Sequence, residues 1–209
     1  MRAAALLLSL AAAVHAQEGA VQPRPVQAEF RIFSGTREVT ASTRLRVMPT
    51  GKRDQAMAVA NGKTLATAIP PGIYDVQALL LRNDAVVGIK WAERLVIMYY
   101  PDEDGRHLEV INFEPGFGAL QVRGGTGATS GYEVVMFPVG DRSTRIDATA
   151  RGEDYRLFVL PAGRYDLRVR PAGAGDDSDD ARWFLDIEVP ADRTRMKSVG
   201  SDHRIPTGS

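Results

Sequence analysis

The string Ile69-Pro70-Pro71-Gly72-Ile73-Tyr74-Asp75-Val76 returns 91 positions later as Leu160-Pro161-Ala162-Gly163-Arg164-Tyr165-Asp166-Leu167. No other feature of the chain restricts its possible folds as strongly, because the match spreads outward from the string on both sides. Pro49-Thr50-Gly51 corresponds to Pro138-Val139-Gly140 at an offset of 89, Gly62 to Gly152 at 90, and Trp91 to Trp183 at 92. Upstream, the alternating positions Thr43, Leu45 and Val47 fall on Tyr132, Val134 and Met136. Agreement in turn residues and in hydrophobic phase together marks an internal duplication. A period near 90 exceeds the roughly 20–50 residues of stacked solenoid repeats, so each copy is a whole domain.

Within each copy, short runs rich in β-branched and aromatic residues are separated by turn chemistry. In the first copy the predicted strands are 29–33, 44–48, 55–60, 64–69, 74–81, 85–91, 95–100 and 108–113. In the second they are 119–123, 132–137, 144–150, 155–160, 165–170, 183–189 and 195–199. The Ala-rich segment 56–68 has the composition of a short helix, and no segment shows a sustained helical period. The expected fold is all-β, with two tandem antiparallel β-sandwich domains of Ig-like or prealbumin-like type at 28–114 and 117–200. Glu114-Pro115-Gly116 is the boundary between them.

The repeated Pro-x-Gly-x-Tyr-Asp element reads as a turn feeding a strand. Pro71 and Pro161 pre-set the backbone, Gly72 and Gly163 supply the positive φ that follows, and Tyr74 and Tyr165 close the end of the sandwich. Alternation along the strand turns Asp75 and Asp166 to the face opposite the tyrosines. Trp91 and Trp183, at matched places on a later strand, are expected as the largest core side chains of their domains.

The chain starts with Arg2, an apolar run from Ala3 to Val14, and Val14-His15-Ala16, the pattern of a secretory signal peptide over 1–16. About twelve apolar residues are too few to cross a hydrocarbon core, which needs about twenty, so no membrane insertion is expected after cleavage. Residues 17–27 form a Pro-containing lead-in and 201–209 a polar tail expected to be disordered. The expected address is periplasmic or secreted. With no cysteine, the chain has neither a disulfide nor a thiol for lipid attachment. Basic and acidic residues balance at 26 each, which leaves no field of one sign to gather nucleic acid.

Catalytic constellations are sparse. Outside the leader the histidines are His107, read as part of a hairpin beside Glu103 to Gly105, and His203 in the tail. Gly127-Ala128-Thr129-Ser130-Gly131 lacks the Gly-x-Ser-x-Gly order of a nucleophile elbow, and the surrounding Gly-rich loop lacks the lysine and helix of a phosphate cradle. No catalytic residue and no cofactor is assigned. Calcium is the one cation the sequence suggests, through the acidic loop carrying Asp176, Asp177, Asp179 and Asp180, with Asp102-Glu103-Asp104-Gly105 as a weaker loop of the same kind. Trp91, Tyr99, Tyr100, Tyr155 and Trp183 are candidates for a sugar-stacking platform if they lie outside the cores.

At 69–76 and 160–167 the chain resembles the Pro-x-Gly-x-Tyr-x-Val turn of prealbumin-like and carboxypeptidase-regulatory-like sandwich domains, and is similar to PEGA-type modules of exported bacterial proteins. The resemblance implies an accessory, non-enzymatic role: binding or scaffolding of an envelope or secreted protein partner through a sheet edge or the cleft between the domains. The alternative expectation is carbohydrate binding, with a polysaccharide as ligand, through exposed aromatics or a calcium-dependent acidic loop.

Overall fold

The computed structural model describes residues 24–61, 65–99, 106–124, 131–152, 154–174 and 180–199. The expected signal peptide, most of the lead-in, the tail and the core of both acidic loops lie outside these residues. Among the described residues the regular elements are strands and one 3-10 turn at Thr40–Ser42; the Ala-rich segment read as a possible helix contributes strands instead.

The first copy builds two sheets from its alternating runs. One is the antiparallel sheet β4(Ala58–Asn61)-β3(Thr43–Pro49)-β6(Gly72–Arg82)-β7(Ala85–Ile97). In the other, β1(Val26–Ser34) pairs antiparallel with β5(Leu65–Ile69) and parallel with β8(Arg106–Asn112), while β2(Arg37–Glu38) continues its far end. The second copy repeats the plan. Its sheets are β11(Ile146–Asp147)-β10(Tyr132–Pro138)-β14(Gly163–Pro171)-β15(Arg182–Val189) and β12(Ala150–Arg151)-β13(Tyr155–Pro161)-β9(Phe117–Gly124)-β16(Thr194–Val199), with β9 and β16 parallel.

Each pair of sheets encloses one core. Val26, Ala28, Phe30 and Ile32 of β1 meet Leu45, Val47, Val76, Ala78, Leu95 and Ile97 from the facing sheet. Leu120 and Val122 of β9 meet Val134, Met136, Leu167, Val169, Ile187 and Val189 in the same manner. Period-2 alternation selects these residues, and each fully buried Val, Leu, Ile or Phe contributes about 1.5–3 kcal/mol.

The remaining faces of β1, β8, β9 and β13 are largely covered by one another. Phe33, Leu108 and Val110 from the first copy pack with Ala119, Leu157 and Val159 from the second, flanked by Phe117, Ala150 and Tyr155. The molecule is therefore a four-layer stack: outer sheet, inner sheet, inner sheet, outer sheet. Polar contacts frame this third core. Arg31 Nη1 donates to the Tyr155 hydroxyl at 3.3 Å, and the Val110 amide donates to Thr194 Oγ1 at 2.7 Å. The cleft expected between the domains is thus filled by side chains, because the inner sheets carry apolar residues on their second faces too, and these must also be covered.

The boundary segment is held as firmly. Asn112 Oδ1 accepts from the amides of Gly35 and Glu114, each at 3.0 Å, and its Nδ2 donates to the Gly35 carbonyl at 2.8 Å. Gly116 turns the chain with a φ of 80°, and its carbonyl accepts from the Ala162 amide at 2.7 Å.

Candidate binding surfaces

The repeated turn places its tyrosine as a clamp. Tyr74 is buried and donates from its hydroxyl to the carbonyl of Pro70 at 2.6 Å; Tyr165 does the same to Pro161 at 2.8 Å. The glycines act differently from the expectation of positive φ, which neither Gly72 nor Gly163 adopts. A Cβ on Gly72 would stand 3.2 Å from the Tyr74 ring, and one on Gly163 3.5 Å from the Tyr165 ring. Gly72 is there because the aromatic ring folds back over it.

The aspartates that follow hold a matched irregularity. Tyr74 pairs with Leu95 and Val76 with Ala92, so Glu93 and Arg94 both stand opposite Asp75, a bulge of two residues against one. In the second copy Tyr165 pairs with Ile187 and Leu167 with Phe184, leaving Leu185 and Asp186 opposite Asp166. Arg94 and Asp186 have φ of 54° and 58°, a conformation that non-glycine residues adopt with strain. Asp75 and Asp166 each compensate by accepting that residue's amide N–H at 3.0 Å. Asp75, only 3% exposed, also accepts from Gly51 and Arg53 at 3.4 Å each. Burial alone would raise its pKa; the Arg94 and Gly51 amides and the Arg53 guanidinium outweigh burial and hold it below the ordinary carboxylate value.

The bulges correct two readings. The predicted strands 85–91 and 95–100 are one strand, β7, interrupted by the bulge. Trp91 and Trp183 are not core residues. Unbroken alternation would put Trp91 on the face of Leu95, and Trp183 on that of Ile187; the inserted residue reverses the phase, so both tryptophans lie half-buried on the outer faces. There Arg53 stacks over Trp91 with its guanidinium carbon 4.5 Å from the ring centroid, and Arg142 covers Trp183 at 4.3 Å. Arg53 and Arg142 are themselves 89 positions apart, so the stack is duplicated too.

The outer sheets diverge beyond the stacks. On the second, the row Asp147, Val135, Arg168, Trp183 adjoins the pair Glu133 and Arg170. Glu133 is an ion-pair partner of both Arg170 and Arg145, and these hydrogen-bonded arginines, opposed by partial burial, hold its carboxyl below the usual range. The first outer sheet carries Val59, Arg46, Gln77, Trp91 in one row and Asn61, Arg44, Leu79, Ile89 in the next. Val59 is 57% and Ile89 58% exposed. Arg44 donates to Asn61 Oδ1 at 3.0 Å and Arg46 to Gln77 Oε1 at 3.5 Å, and among the described residues neither has a carboxylate in ion-pair range. An apolar surface with two uncompensated arginines is a surface that favours an acidic, partly apolar partner.

The other candidates are placed as follows. His107 belongs to β8, not to a hairpin tip, and is buried 3.2 Å from Glu109, inside the first sandwich. Of the acidic calcium candidates, Asp176, Asp177 and Asp179 lie outside the described residues, and Asp180 is exposed in a turn. Among the described residues no three His, Cys, Asp or Glu side chains cluster in a way that would hold a metal ion. Of the candidate sugar-stacking aromatics, Tyr99 packs against the first core, Tyr155 belongs to the inter-sheet core, and both tryptophans are covered by arginine; Tyr100 is outside the described residues. No described helix is long and apolar enough to cross a membrane.

No family model and no curated protein matches the chain. Solved structures of similar architecture include the Bacillus anthracis TIE protein, at 13% identity and a TM-score of 0.30 over 84% of this chain and 34% of that one. They also include the tip fimbrial protein Mfa3 from Porphyromonas gingivalis, at 7% identity and a TM-score of 0.31, covering 83% of this chain and 94% of that one. A third is GBS52, the minor pilin of Streptococcus agalactiae, at 10% identity and a TM-score of 0.23, covering 84% and 94%. This chain spans about a third of the length of the first. At such identities and TM-scores the likeness is one of β-sandwich architecture and carries no functional argument.

Proposed function

We propose that this protein is a non-catalytic binding or scaffolding module that works outside the cytoplasm, at the cell envelope, and docks a protein partner on the first outer sheet. The observation that supports this reading is the contrast between the two copies. The same sheet in the same duplicated fold carries ion-paired arginines and carboxylates in the second copy, but exposed Val59 and Ile89 beside Arg44 and Arg46 in the first. The β7 and β15 edges of the outer sheets are poorer candidates for a partner that adds a strand, because the bulges at Glu93-Arg94 and Leu185-Asp186 break the rows of backbone groups such a strand would use. Sugar stacking on the tryptophans is the weaker alternative, since arginine already occupies their outer ring faces.

The test is capture from an envelope fraction with the mature chain as bait, comparing Ile89→Asp with Leu185→Asp, an equally exposed position on the other copy. Loss of the captured protein with Ile89→Asp and its retention with Leu185→Asp is the expected result. Capture unchanged by Ile89→Asp would remove the first outer sheet as the docking face.

A further inference from the structure

The geometry points to a peptide-binding cleft at the end of the first outer sheet, in which Arg37 and Arg82 hold an acidic side chain of the extended segment by which a partner docks. This inference rests on the docking face proposed above and gives the end of the partner a place and a charge. The cleft has a volume of about 460 Å³, within the range of small-ligand sites. It opens between the β6–β7 hairpin on one side and β2 with the 3-10 turn after it on the other. Val39, Leu80, Leu81 and Val87 supply its apolar lining, and Val87 is 54% exposed. Leu79 and Leu81, two positions apart, share one side of β6, and Leu79 is the cross-strand partner of Ile89, so the apolar docking face runs on into the cleft.

Both arginines are carried on rigid backbone. Arg37 follows the two-residue turn 35–36 that joins β1 to β2. Asn112 fixes that turn, accepting from the Gly35 amide at 3.0 Å and donating to the Gly35 carbonyl at 2.8 Å. Arg82 precedes the two-residue turn Asn83-Asp84, whose φ of 50° and 62° are those of the tight hairpin turn that matches strand twist. Both side chains are exposed, and among the described residues neither guanidinium has a hydrogen-bond or ion-pair partner. The carboxylate in the lining, Glu38, is already engaged: it accepts from Arg31 Nε at 3.0 Å and from the Thr40 hydroxyl at 2.9 Å.

The cleft therefore presents two uncompensated cations beside an apolar lining. A carboxylate placed there gains charge-assisted hydrogen bonds without displacing an existing partner, and preformed walls keep the ordering cost low. An extended peptide suits such a lining, because successive side chains point to opposite sides. An aliphatic residue rests on Leu81 and Val87 while a neighbouring Glu or Asp turns to the exposed guanidinium groups.

The experiment is an amide-shift titration of the folded chain with the peptide acetyl-Leu-Glu-Leu-Glu-Leu-amide, its counterpart with Gln in place of Glu, and decanoate. The expected result is saturable shifts around 37–42 and 80–87 with the Glu peptide, and binding at least about tenfold weaker with the Gln peptide. The double variant Arg37→Gln/Arg82→Gln should weaken binding of the Glu peptide by a similar factor while its thermal midpoint stays at that of the parent, since neither arginine has a contact to lose. Arg37→Lys/Arg82→Lys, which keeps the charges but not the forks, should bind between the two. No saturation by the Glu peptide, equal binding of the Gln peptide, decanoate binding as tight as that of the Glu peptide, or binding unchanged by Arg37→Gln/Arg82→Gln would overturn the proposal. Envelope capture separates the cleft from the face. Capture that survives Ile89→Asp while the Glu peptide still fills the cleft removes the face and leaves the cleft as a peptide site; capture lost with Ile89→Asp in a chain whose cleft takes no peptide removes the cleft and leaves the face.

Discussion

Arg193, in the turn before β16, donates from Nη1 to the backbone carbonyl of Glu93 at 3.1 Å, so that one domain covers the edge strand of the other. The neighbouring pair, Lys90 Nζ and Asp192 at 2.7 Å, reinforces the same junction. Strand β7 is long, apolar and paired on one side only, the kind of edge that invites a second chain. Its middle is protected twice, by its own bulge and by this cover.

The double variant Asp192→Ala/Arg193→Ala tests the cover. Exposed contacts of this kind are worth less than about 1 kcal/mol each, so the melting temperature should barely move. Light scattering during heating should nevertheless rise earlier than in the parent protein, because the edge is uncovered. Identical scattering curves would mean that the bulge alone protects the strand.

The inter-sheet core should make the two domains unfold together. Leu157 is fully buried between the inner sheets, and Leu157→Ala should cost about 2–5 kcal/mol. Calorimetry is expected to show one transition for the parent chain and a lowered, broadened or split one for the variant. Two separate transitions in the parent would show that this contact does not couple the domains.

Asp75 predicts a signed pH dependence. Its folded-state pKa is below its unfolded value, so its contribution to stability is complete above the unfolded pKa of about 3.9 and is lost as pH falls from there through the folded pKa. Asp75→Ala should remove about 1–3 kcal/mol at neutral pH by leaving the Arg94 amide without its buried acceptor. Urea denaturation at pH 7 and at pH 3 checks both: the gap between parent and variant should be smaller at the second than at the first.

The two glycines of the repeated turn should respond unequally to alanine. The new Cβ in Gly72→Ala would lie 3.2 Å from the Tyr74 ring and force it to shift, whereas in Gly163→Ala the 3.5 Å approach is ordinary contact. Thermal melts should therefore place Gly72→Ala clearly below Gly163→Ala. Tyr74→Phe, which removes the hydrogen bond to Pro70, should cost about 0.5–1.5 kcal/mol.

Periodicity made most of the strands readable, since Thr43, Leu45 and Val47 or Tyr132, Val134 and Met136 carry a phase that only a half-buried strand explains. The same logic failed at Trp91 and Trp183, where one inserted residue inverts the phase without leaving a glycine or proline to announce it. The backbone role of Asp75 and Asp166 was equally hidden, because an aspartate facing away from a core reads as solvated until the bulge across from it is seen. The docking of the inner sheets had one legible trace: β13 runs Leu157-Phe158-Val159-Leu160 without alternation, the mark of a strand covered on both faces.

The chain enters the first domain along β1 and leaves it along β8, and these two strands lie side by side and parallel through seven residue pairs. It enters the second along β9 and leaves along β16, again parallel, through six. Tension along the polypeptide would therefore slide each terminal strand lengthwise against its neighbour, loading the whole ladder at once instead of peeling it bond by bond. A domain connected in this way resists being pulled open from its ends, a mechanical property suited to a tether that must hold its shape under load.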